Sequence, residues 1–548
     1  MKTILIGINS KYIHPNLAIR YLKANTTYPV KLLEYTIKDK INNIINDIKN
    51  ENPDIIGFSV YIWNIEIIKT ILLSLKEVLP NAKTILGGPE VSYEYNEFFD
   101  NYSTDFIIAN EGEISFHLLL KAINNNLPFN NIPNLIYISN GIIKKNKSEN
   151  IEDLDKLKQP YSFEKDLKKI PNKVQYVELS RGCPYNCSYC LASLEKGLRF
   201  FSIERIKRAV DFLVKRGAKT IKFLDRSFNA NPKLAQEFLE YIISRKYQNT
   251  VFQFEINGDI LKDDFIAFLI QKVPKNLIRF ELGIQSTNDL VNREVNRYQD
   301  TDKLIKTIRK LKKSNVTLHL DLIAGLPYED LPSFKNTFNT IYQLFANELQ
   351  LGFLKVLKGT KIYYTKSKHK INYQTIAPYE IIENKYITKT ELETIHKVET
   401  MLNIYWNKGF MNSSIYHLTY NKDAFEFYKE LYDFYQNNNL SHFRYAFSDL
   451  FINLISFLKS KKLFTNFIND TLKYDFLIHH NTKPKLYWNE VINKNEIIRN
   501  FHKENLHLNI DKLYKYALVI KYLKGYLIIL YLPDGKEIYQ FKKGLSIN

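Results

Sequence analysis

The chain of 548 residues contains three cysteines, and all of them fall in one segment, Leu179-Ser-Arg-Gly-Cys183-Pro-Tyr-Asn-Cys187-Ser-Tyr-Cys190. An odd, clustered set excludes a disulfide-built scaffold. Where thiols stay reduced, clustered cysteines serve metal binding or catalysis. The spacing CxxxCxxC puts three thiolates on one short loop, enough for three corners of a cubane [4Fe–4S] cluster, which normally takes four cysteines. Without a fourth cysteine, one iron is open or takes a non-protein ligand. Zinc is the alternative. It wants four protein ligands or three and a water, and His117 is the nearest upstream histidine.

The cysteine loop follows a strand signal inside a chain of alternating strand and helix signals. In the first third, strands are expected at Thr3–Ile8, Ile55–Val60, Thr84–Leu86 and Phe106–Ile108, with helices at Asn16–Ala24 and Ile65–Leu79 between them. A second alternating region offers strands at Val174–Leu179, Thr220–Leu224, Val251–Ile256, Ile278–Ile284, Thr317–Ile323 and Leu349–Val356, with helices such as Ile203–Arg216 and Lys233–Ser244. Beyond about residue 376 the rhythm gives way to amphipathic helices (Thr388–Trp406, Lys422–Gln436, Ser441–Lys459) and a terminal hairpin around Pro533-Asp534-Gly535. The expected architecture is α/β. It has an N-terminal doubly wound parallel sheet of Rossmann-like type (1–140) and a linker carrying Pro160 and Pro171 (141–172). A full or partial (β/α) TIM-type barrel (173–375) and a mostly α-helical C-terminal domain (376–548) follow. Both α/β designs bind ligands beyond the carboxyl ends of their strands.

Composition removes other classes. With 45% apolar and 25% charged residues, the chain is not mainly disordered. The net charge of +19 would suit a nucleic-acid partner. Lysine, however, far outnumbers arginine, and no run of five or six like charges occurs, so the charge reads as lysine-rich background. The apolar run Thr3–Gly7 is too short for a signal peptide, and the stretch from Tyr516 to Leu532 is interrupted by Lys521 and Lys524. A cytoplasmic protein without a membrane partner is expected.

The loop, with Tyr189 before its last cysteine, resembles the signature of the radical S-adenosylmethionine superfamily. Gly283-Ile-Gln285-Ser286 and Ala324-Gly325-Leu-Pro327 are close to the family pattern. The resemblance implies that S-adenosylmethionine chelates the open iron and is contacted by Tyr189, Asp225, Arg226, Glu255, Gln285, Ser286 and Gly325. Tyr189 either presents its backbone to adenine or packs the loop. Asp225-Arg226-Ser227 stands where many members have Gly-Gly-Glu for the methionine amino group, which leaves the holder of that amine open.

The N-terminal region resembles the cobalamin-binding domain that precedes the barrel in one large subgroup. Ser59-Val-Tyr61 stands where that family has Ser-x-Leu, and Gly87-Gly88 follows at a strand end. The resemblance implies cobalamin contacts from Asn9, Ser10, Tyr12, His14, Ser59, Tyr61, Gly87 and Gly88. Many carriers have Asp-x-His-x-x-Gly in the first loop. Here Tyr12, His14 and Leu17 occupy the marked positions, so the histidine lacks its usual orienting partner. A cobalt without a protein histidine is the favoured reading. His14 as a ligand is the other, and a degenerate domain that only covers the barrel mouth is the rival. The resemblance also puts Glu111 and Glu113 near the interface with the linker, although acidic residues equally suit a helix start.

The stretch Leu351–Thr360 and Pro378-Tyr-Glu380 resemble a subgroup with a C-terminal domain of unknown function reaching to near Asn548. Aromatic residues in this tail are read as core rather than as a stacking surface. Together these resemblances imply a cobalamin-dependent radical methyltransferase acting on an unactivated carbon or phosphinate of a small-molecule or peptide substrate. An electron donor such as flavodoxin or ferredoxin would reduce its cluster. The alternatives are a non-methylating radical enzyme (rearrangement, ring contraction or oxidation) and an iron–sulfur nucleic-acid-binding protein.

Overall fold

A computed structural model describes the chain except for residues 162, 196, 485–491 and 542–548. It divides into two compact units, residues 1–337 with 351–392, and residues 338–350 with 393–548.

The first unit opens with strands β1 (Thr3–Asn9), β2 (Val30–Thr36), β3 (Ile55–Ser59), β4 (Lys83–Gly87) and β5 (Phe106–Ile108), paired in parallel in the order β2-β1-β3-β4-β5. β1 and β3 are buried along their whole length, as central strands covered on both faces must be. One apolar cluster, with Ile4, Ile6 and Ile56, lies on one face, and a second, with Leu5, Ile55 and Phe116, on the other. This is the doubly wound arrangement the sequence implies. The structure adds two things. β2 is a half-buried edge strand whose mixed sequence, Val-Lys-Leu-Leu-Glu-Tyr-Thr, carries no clean buried run. Strands β6 (Leu135–Ser139) and β7 (Ile142–Lys145) then continue the sheet antiparallel to β5, so the edge beyond β5 is a hairpin.

The cysteine region begins at β8 (Gln175–Val177), followed by the short antiparallel pair β9 (Ser180–Arg181) and β10 (Arg199–Phe200). Then come β11 (Thr220–Phe223), β12 (Val251–Ile256), β13 (Ile278–Gln285), β14 (Thr317–Ala324) and β15 (Glu348–Phe353). The sheet order is β15-β14-β13-β12-β11-β8, with the pairs from β8 to β14 parallel. Among the described residues β15 and β8 remain its two ends, so the barrel is partial. Every second residue of β13 is an apolar side chain turned to the surrounding helices, and its half-buried residues, Arg279, Glu281, Gly283 and Gln285, line the concave face. The concave face is therefore polar rather than filled by aliphatic layers. The unit closes with a short antiparallel pair, β16 (Asn372–Tyr373) and β17 (Ile381–Glu383).

The second unit consists of helices, including Lys389–Tyr405, Ala424–Asn437 and Phe447–Ser460, and a three-stranded antiparallel sheet, β18 (Ala517–Tyr522), β19 (Gly525–Leu532) and β20 (Gly535–Phe541). The β19–β20 turn is the expected hairpin, and β18 was not foreseen. Several tail aromatics are core: Tyr405 and Tyr435 are buried with their hydroxyls 2.7 Å apart, and Tyr428 is buried 2.8 Å from the Tyr342 hydroxyl, whereas Tyr420, Phe443 and Phe467 are exposed. No helix among the described residues is long and apolar enough to cross a membrane.

Candidate active site

The cysteine loop is built from the end of β8. Asp225, just past β11, accepts from the backbone N–H of Leu179 at 3.0 Å and from the Ser180 hydroxyl at 2.5 Å. Burial pushes this carboxyl up to about 7, against the pull of those two donors. Both its oxygens face the loop, so Asp225 anchors the strand-to-loop turn. Gly182 sits at φ +91°, and a Cβ there would run into the carbonyl oxygen of Gly197. The loop then carries Cys183, Cys187 and Cys190, all unpaired. The backbone N–H of Cys190 donates to the carbonyl of Cys187 at 3.1 Å, closing the turn between them. Ser188 is clamped from outside: its N–H donates to Val295 O and its carbonyl accepts from Ile362 N, each at 2.8 Å. Burial and the neighbouring sulfurs push the Cys183 and Cys190 thiols up. Three soft donors on one turn, crowded enough to disfavour their own charge, suit an iron–sulfur cluster, whose cations would stabilise the thiolates.

Beside the loop lies Arg297, which carries no sequence signal of its own. Its Nη1 is 4.0 Å from Cys187 Sγ, its Nη2 donates to Gly283 O, and its Nε donates to Gln299 Oε1 at 2.9 Å. Burial works against its charge, but Tyr189 and Cys187 outweigh burial and raise its pKa. Burial raises the pKa of the Tyr189 hydroxyl and the nearby Arg297 charge works against that, so its side chain packs beside the guanidinium.

The remaining strand ends line the mouth unequally. Gln285 adopts φ +67°, and its Oε1 is buried without a partner, an acceptor left over for a ligand. Ser286 is fully buried and donates to Glu329 Oε1 at 2.5 Å, away from the mouth. Gly325, at φ +85°, leaves a Cβ no room against Ile381. Arg226 keeps part of its side chain in solvent while its guanidinium is crowded by the mouth, and Glu255, Cys190 and Glu195 raise its pKa over the cost of that crowding. Glu255 lies 3.7 Å from Lys222, and burial raises its pKa.

Deeper on the concave face, Arg279 Nη2 lies 2.6 Å from His319 Nδ1, and His319 Nε2 lies 3.0 Å from Asp321 Oδ1. A guanidinium only donates, so Nδ1 accepts and Nε2 carries the proton toward Asp321. Lys222 and Gln253 donate to Glu281 Oε2 at 3.0 and 2.8 Å. Glu281, His319 and Asp321 are close enough to share a metal ion. The two cations among them instead make a neutralised polar network.

The sheet of β1–β5 presents its own carboxyl edge. Gly88 lies at φ +116°, where a Cβ would collide with Val60 O, while a Cβ on Gly87 would touch only Ile108 O at 3.4 Å. Gly87 therefore leaves a bare backbone shelf at this edge, while Gly88 is required by its own packing on Val60. Tyr61 stacks on Trp63 at 4.5 Å between ring centroids, and Trp63 Nε1 donates to Ile8 O. Burial, then Glu178, raises the Tyr61 hydroxyl to about 12. Ser59 is buried, with its hydroxyl 2.6 Å from Asn16 Nδ2, and Asn9 donates to Glu34 at 3.1 Å, so both side chains serve the loop itself. Ser10 is half-buried and Tyr12 exposed, with Lys173 over the Tyr12 ring. His14 Nδ1 lies 2.6 Å from the Tyr176 hydroxyl.

The sheet and the cysteine loop are joined by ion pairs. Arg181, two residues before Cys183, meets Glu113 at 2.6 Å, Glu178 at 3.0 Å and Glu111 at 3.3 Å. Arg199 meets Glu111 at 2.8 Å, and Glu111 also accepts from Ile151 N at 2.6 Å. Glu111 and Glu113 thus bind both the 141–172 segment and the cluster loop.

Three regions of the chain match known families. Residues 3–120 match the B12 binding domain, residues 177–341 the radical SAM superfamily, and residues 367–519 a protein family of unknown function. The chain carries a cobalamin-binding domain ahead of a radical SAM domain. These two domains bring a [4Fe–4S] cluster, S-adenosylmethionine and cobalamin, and the three thiols with the unpaired Gln285 Oε1 fit the first two. An uncharacterized methyltransferase of Pyrococcus horikoshii is 23% identical over 361 residues, covering 64% of this chain and 78% of that one. The cobalamin-dependent radical SAM methyltransferase TokK of Streptomyces tokunonensis is 22% identical over 367 residues, covering 63% of this chain and 53% of that one. Among solved structures, the cobalamin-dependent S-adenosylmethionine radical enzyme OxsB shares the fold, with a TM-score of 0.62 and 16% identity over 87% of this chain and 84% of that one.

Proposed function

We propose that this radical SAM chain is a methyltransferase that places a methyl group on an unactivated carbon of a small-molecule or peptide substrate. The observation that carries the reading is one unit holding both a three-thiol loop and, joined to it through the Arg181–Glu113 ion pair, the parallel sheet whose β4 ends at the Gly87 shelf. When bound, the cluster with S-adenosylmethionine supplies a hydrogen-abstracting deoxyadenosyl radical, and cobalamin supplies the methyl group.

The chain's own residues bind and orient. Cys183, Cys187 and Cys190 hold three irons. Arg297 offers a cation for the methionine carboxylate, and the unpaired Gln285 Oε1 offers an acceptor. Glu255 and Arg226 stand at the mouth as polar contacts of opposite charge. Gly87 lets the corrinoid approach the backbone, Gly88 holds the turn against Val60, and Tyr61 on Trp63 gives a flat surface nearby. His14 is engaged by Tyr176 and is assigned no bond to cobalt. The conversion is tested by anaerobic reconstitution with cobalamin and methyl-labelled S-adenosylmethionine. Cobalamin uptake with label in a product supports methyl transfer. Deoxyadenosine release with no labelled product would assign a non-methylating radical reaction instead.

A further inference from the structure

The stretches Leu351–Thr360 and Pro378-Tyr-Glu380 lie in one segment of the first unit, residues 351–384, that touches the region of each cofactor. At the cluster loop, Ile362 N donates to Ser188 O at 2.8 Å. At the end of β14, Leu354 N donates to Ala324 O and Asn384 Nδ2 to Gly325 O, each at 2.9 Å, and Ile381 fills the space beside Gly325. At the cobalamin-binding sheet the segment meets the loop that follows Gly87. Gly359, at φ +84°, has no room for a Cβ against the Tyr93 ring, and the Tyr379 hydroxyl donates to Glu90 Oε2 at 2.8 Å. Glu90 and Tyr379 are 3% and 4% exposed, and burial pushes the Glu90 carboxyl up despite the tyrosine. Lys358, over the Tyr379 ring at 5.7 Å, and Lys69 favour the charge of Glu90, and Glu66 opposes it. Lys69 is itself paired with Glu97 at 2.8 Å. An apolar pair would fill this space without the cost of desolvating a carboxyl. What a buried carboxyl and one phenol add is direction, because their hydrogen bond fixes where the two stretches of chain meet.

Glu90 stands three residues past Gly87, in the one-turn helix Pro89–Val91. That turn closes on Gly88 O, which accepts from Val91 N at 3.3 Å and from the Ser92 hydroxyl at 2.8 Å, while Gly87 O accepts from Val60 N at 2.7 Å. The Glu90 side chain thus holds, through a closed turn, the backbone at the end of β4. We propose that Tyr379 is a positioning residue for cobalamin: its bond to Glu90 fixes the turn after β4 so that the Gly87 backbone stays open to the corrinoid. This rests on the cobalamin site read above. The segment between the last barrel strand and the helical unit is then part of the cofactor machinery rather than a connector. The Tyr379 hydroxyl acts on the sheet alone. The contacts with Ser188 and Gly325 use backbone groups, Ile381 and Asn384, so its loss leaves the cluster loop and the S-adenosylmethionine region in place.

The test uses the anaerobically reconstituted full chain as wild type, Tyr379→Phe, Glu90→Gln and the double variant. Hydroxocobalamin is the probe, its affinity read by quenching of tryptophan fluorescence, beside iron content and affinity for S-adenosylmethionine. Phenylalanine keeps the ring and drops the donor, which strands a buried carboxyl. The expected result is about tenfold weaker hydroxocobalamin binding in Y379F, the worth of a hydrogen bond to a charged group, with iron content and S-adenosylmethionine affinity unchanged. E90Q keeps an acceptor for the tyrosine and should bind like the wild type. In Y379F/E90Q the stranded carboxyl is gone, and most of the affinity should return. Equal hydroxocobalamin affinity in Y379F and the wild type would overturn the proposal. So would a loss shared by S-adenosylmethionine and iron, or one that the double variant does not recover, since either makes the pair ordinary packing. A wild type that takes up no hydroxocobalamin would overturn the cobalamin reading as well, whereas equal uptake by wild type and Y379F overturns this inference alone.

Discussion

The Tyr176 hydroxyl and Nδ1 of His14 stand 2.6 Å apart, joining the first strand of the cysteine region to the first loop of the cobalamin-binding sheet. Burial, then Lys11 and Lys222, lowers the pKa of His14, so near neutral pH the ring is uncharged and Nδ1 accepts the tyrosine proton. The ring is committed to positioning the loop. Cob(II)alamin bound to the wild type is expected to show no imidazole nitrogen splitting in its paramagnetic resonance spectrum, and H14A should leave that spectrum unchanged. A splitting that disappears in H14A would assign His14 to cobalt.

The two glycines of the shelf are expected to respond differently. Gly88→Val meets both a positive φ and the Val60 carbonyl, so it should lower thermal stability as well as cobalamin uptake. Gly87→Val has room, with Ile108 O at 3.4 Å as its one contact. It should keep its melting temperature and iron content while losing cobalamin. Full cobalamin binding by G87V, read by absorbance after desalting, would remove Gly87 from the shelf.

Arg297→Met should weaken S-adenosylmethionine binding at least tenfold, roughly the worth of a charge-assisted contact. Because its guanidinium also holds Gly283 O, Arg297→Lys serves as the companion variant. Lysine keeps the charge but not the fork, so it should recover part of the affinity. Iron content measured in both variants separates lost cofactor binding from lost cluster.

Glu329 gives a pH signature. Burial pushes its carboxyl up to about 8, although Ser286 and Thr337 donate to it, and its Oε2 has no partner. The folded state therefore keeps a proton that the unfolded chain releases near 4.3. Stability contributed by the neutral carboxyl is whole below that value and is lost as pH rises through about 8. Melting temperature should fall across this window, and Glu329→Gln should flatten the fall. An identical slope in E329Q would move the effect to Asp225 at about 7 or Asp475 at about 6.

Much of this was legible in the chain. Strands β1, β3, β12 and β14 were marked by unbroken or alternating apolar runs, and the cysteine spacing marked the loop. Edge elements were less visible, because β2 and the β6–β7 hairpin are only partly buried and their sequences are mixed. The site residues divided along similar lines. Gly88 and Gly325 stood out along the chain, and both adopt positive φ. Ser59, Asn9, Asp225 and Ser286 sit where expected along the chain, but their polar atoms bond to neighbouring loops, which a linear pattern does not reveal. Arg297 and Arg181 had no motif at all, because their partners lie far off in sequence. The alternation in Ile278-Arg-Phe-Glu-Leu-Gly-Ile-Gln285 was the one sign of the polar concave face.

The central claim is that the three cysteines hold a cluster that cleaves S-adenosylmethionine reductively. The direct measurement is 5′-deoxyadenosine formed by the anaerobically reconstituted chain under dithionite, for the wild type and for C183A, C187A and C190A. The expected result is deoxyadenosine from the wild type, and none from any variant together with loss of the cluster absorbance. A full cluster in any single variant, or no deoxyadenosine from a wild type whose cluster is intact and reduced, would contradict the account.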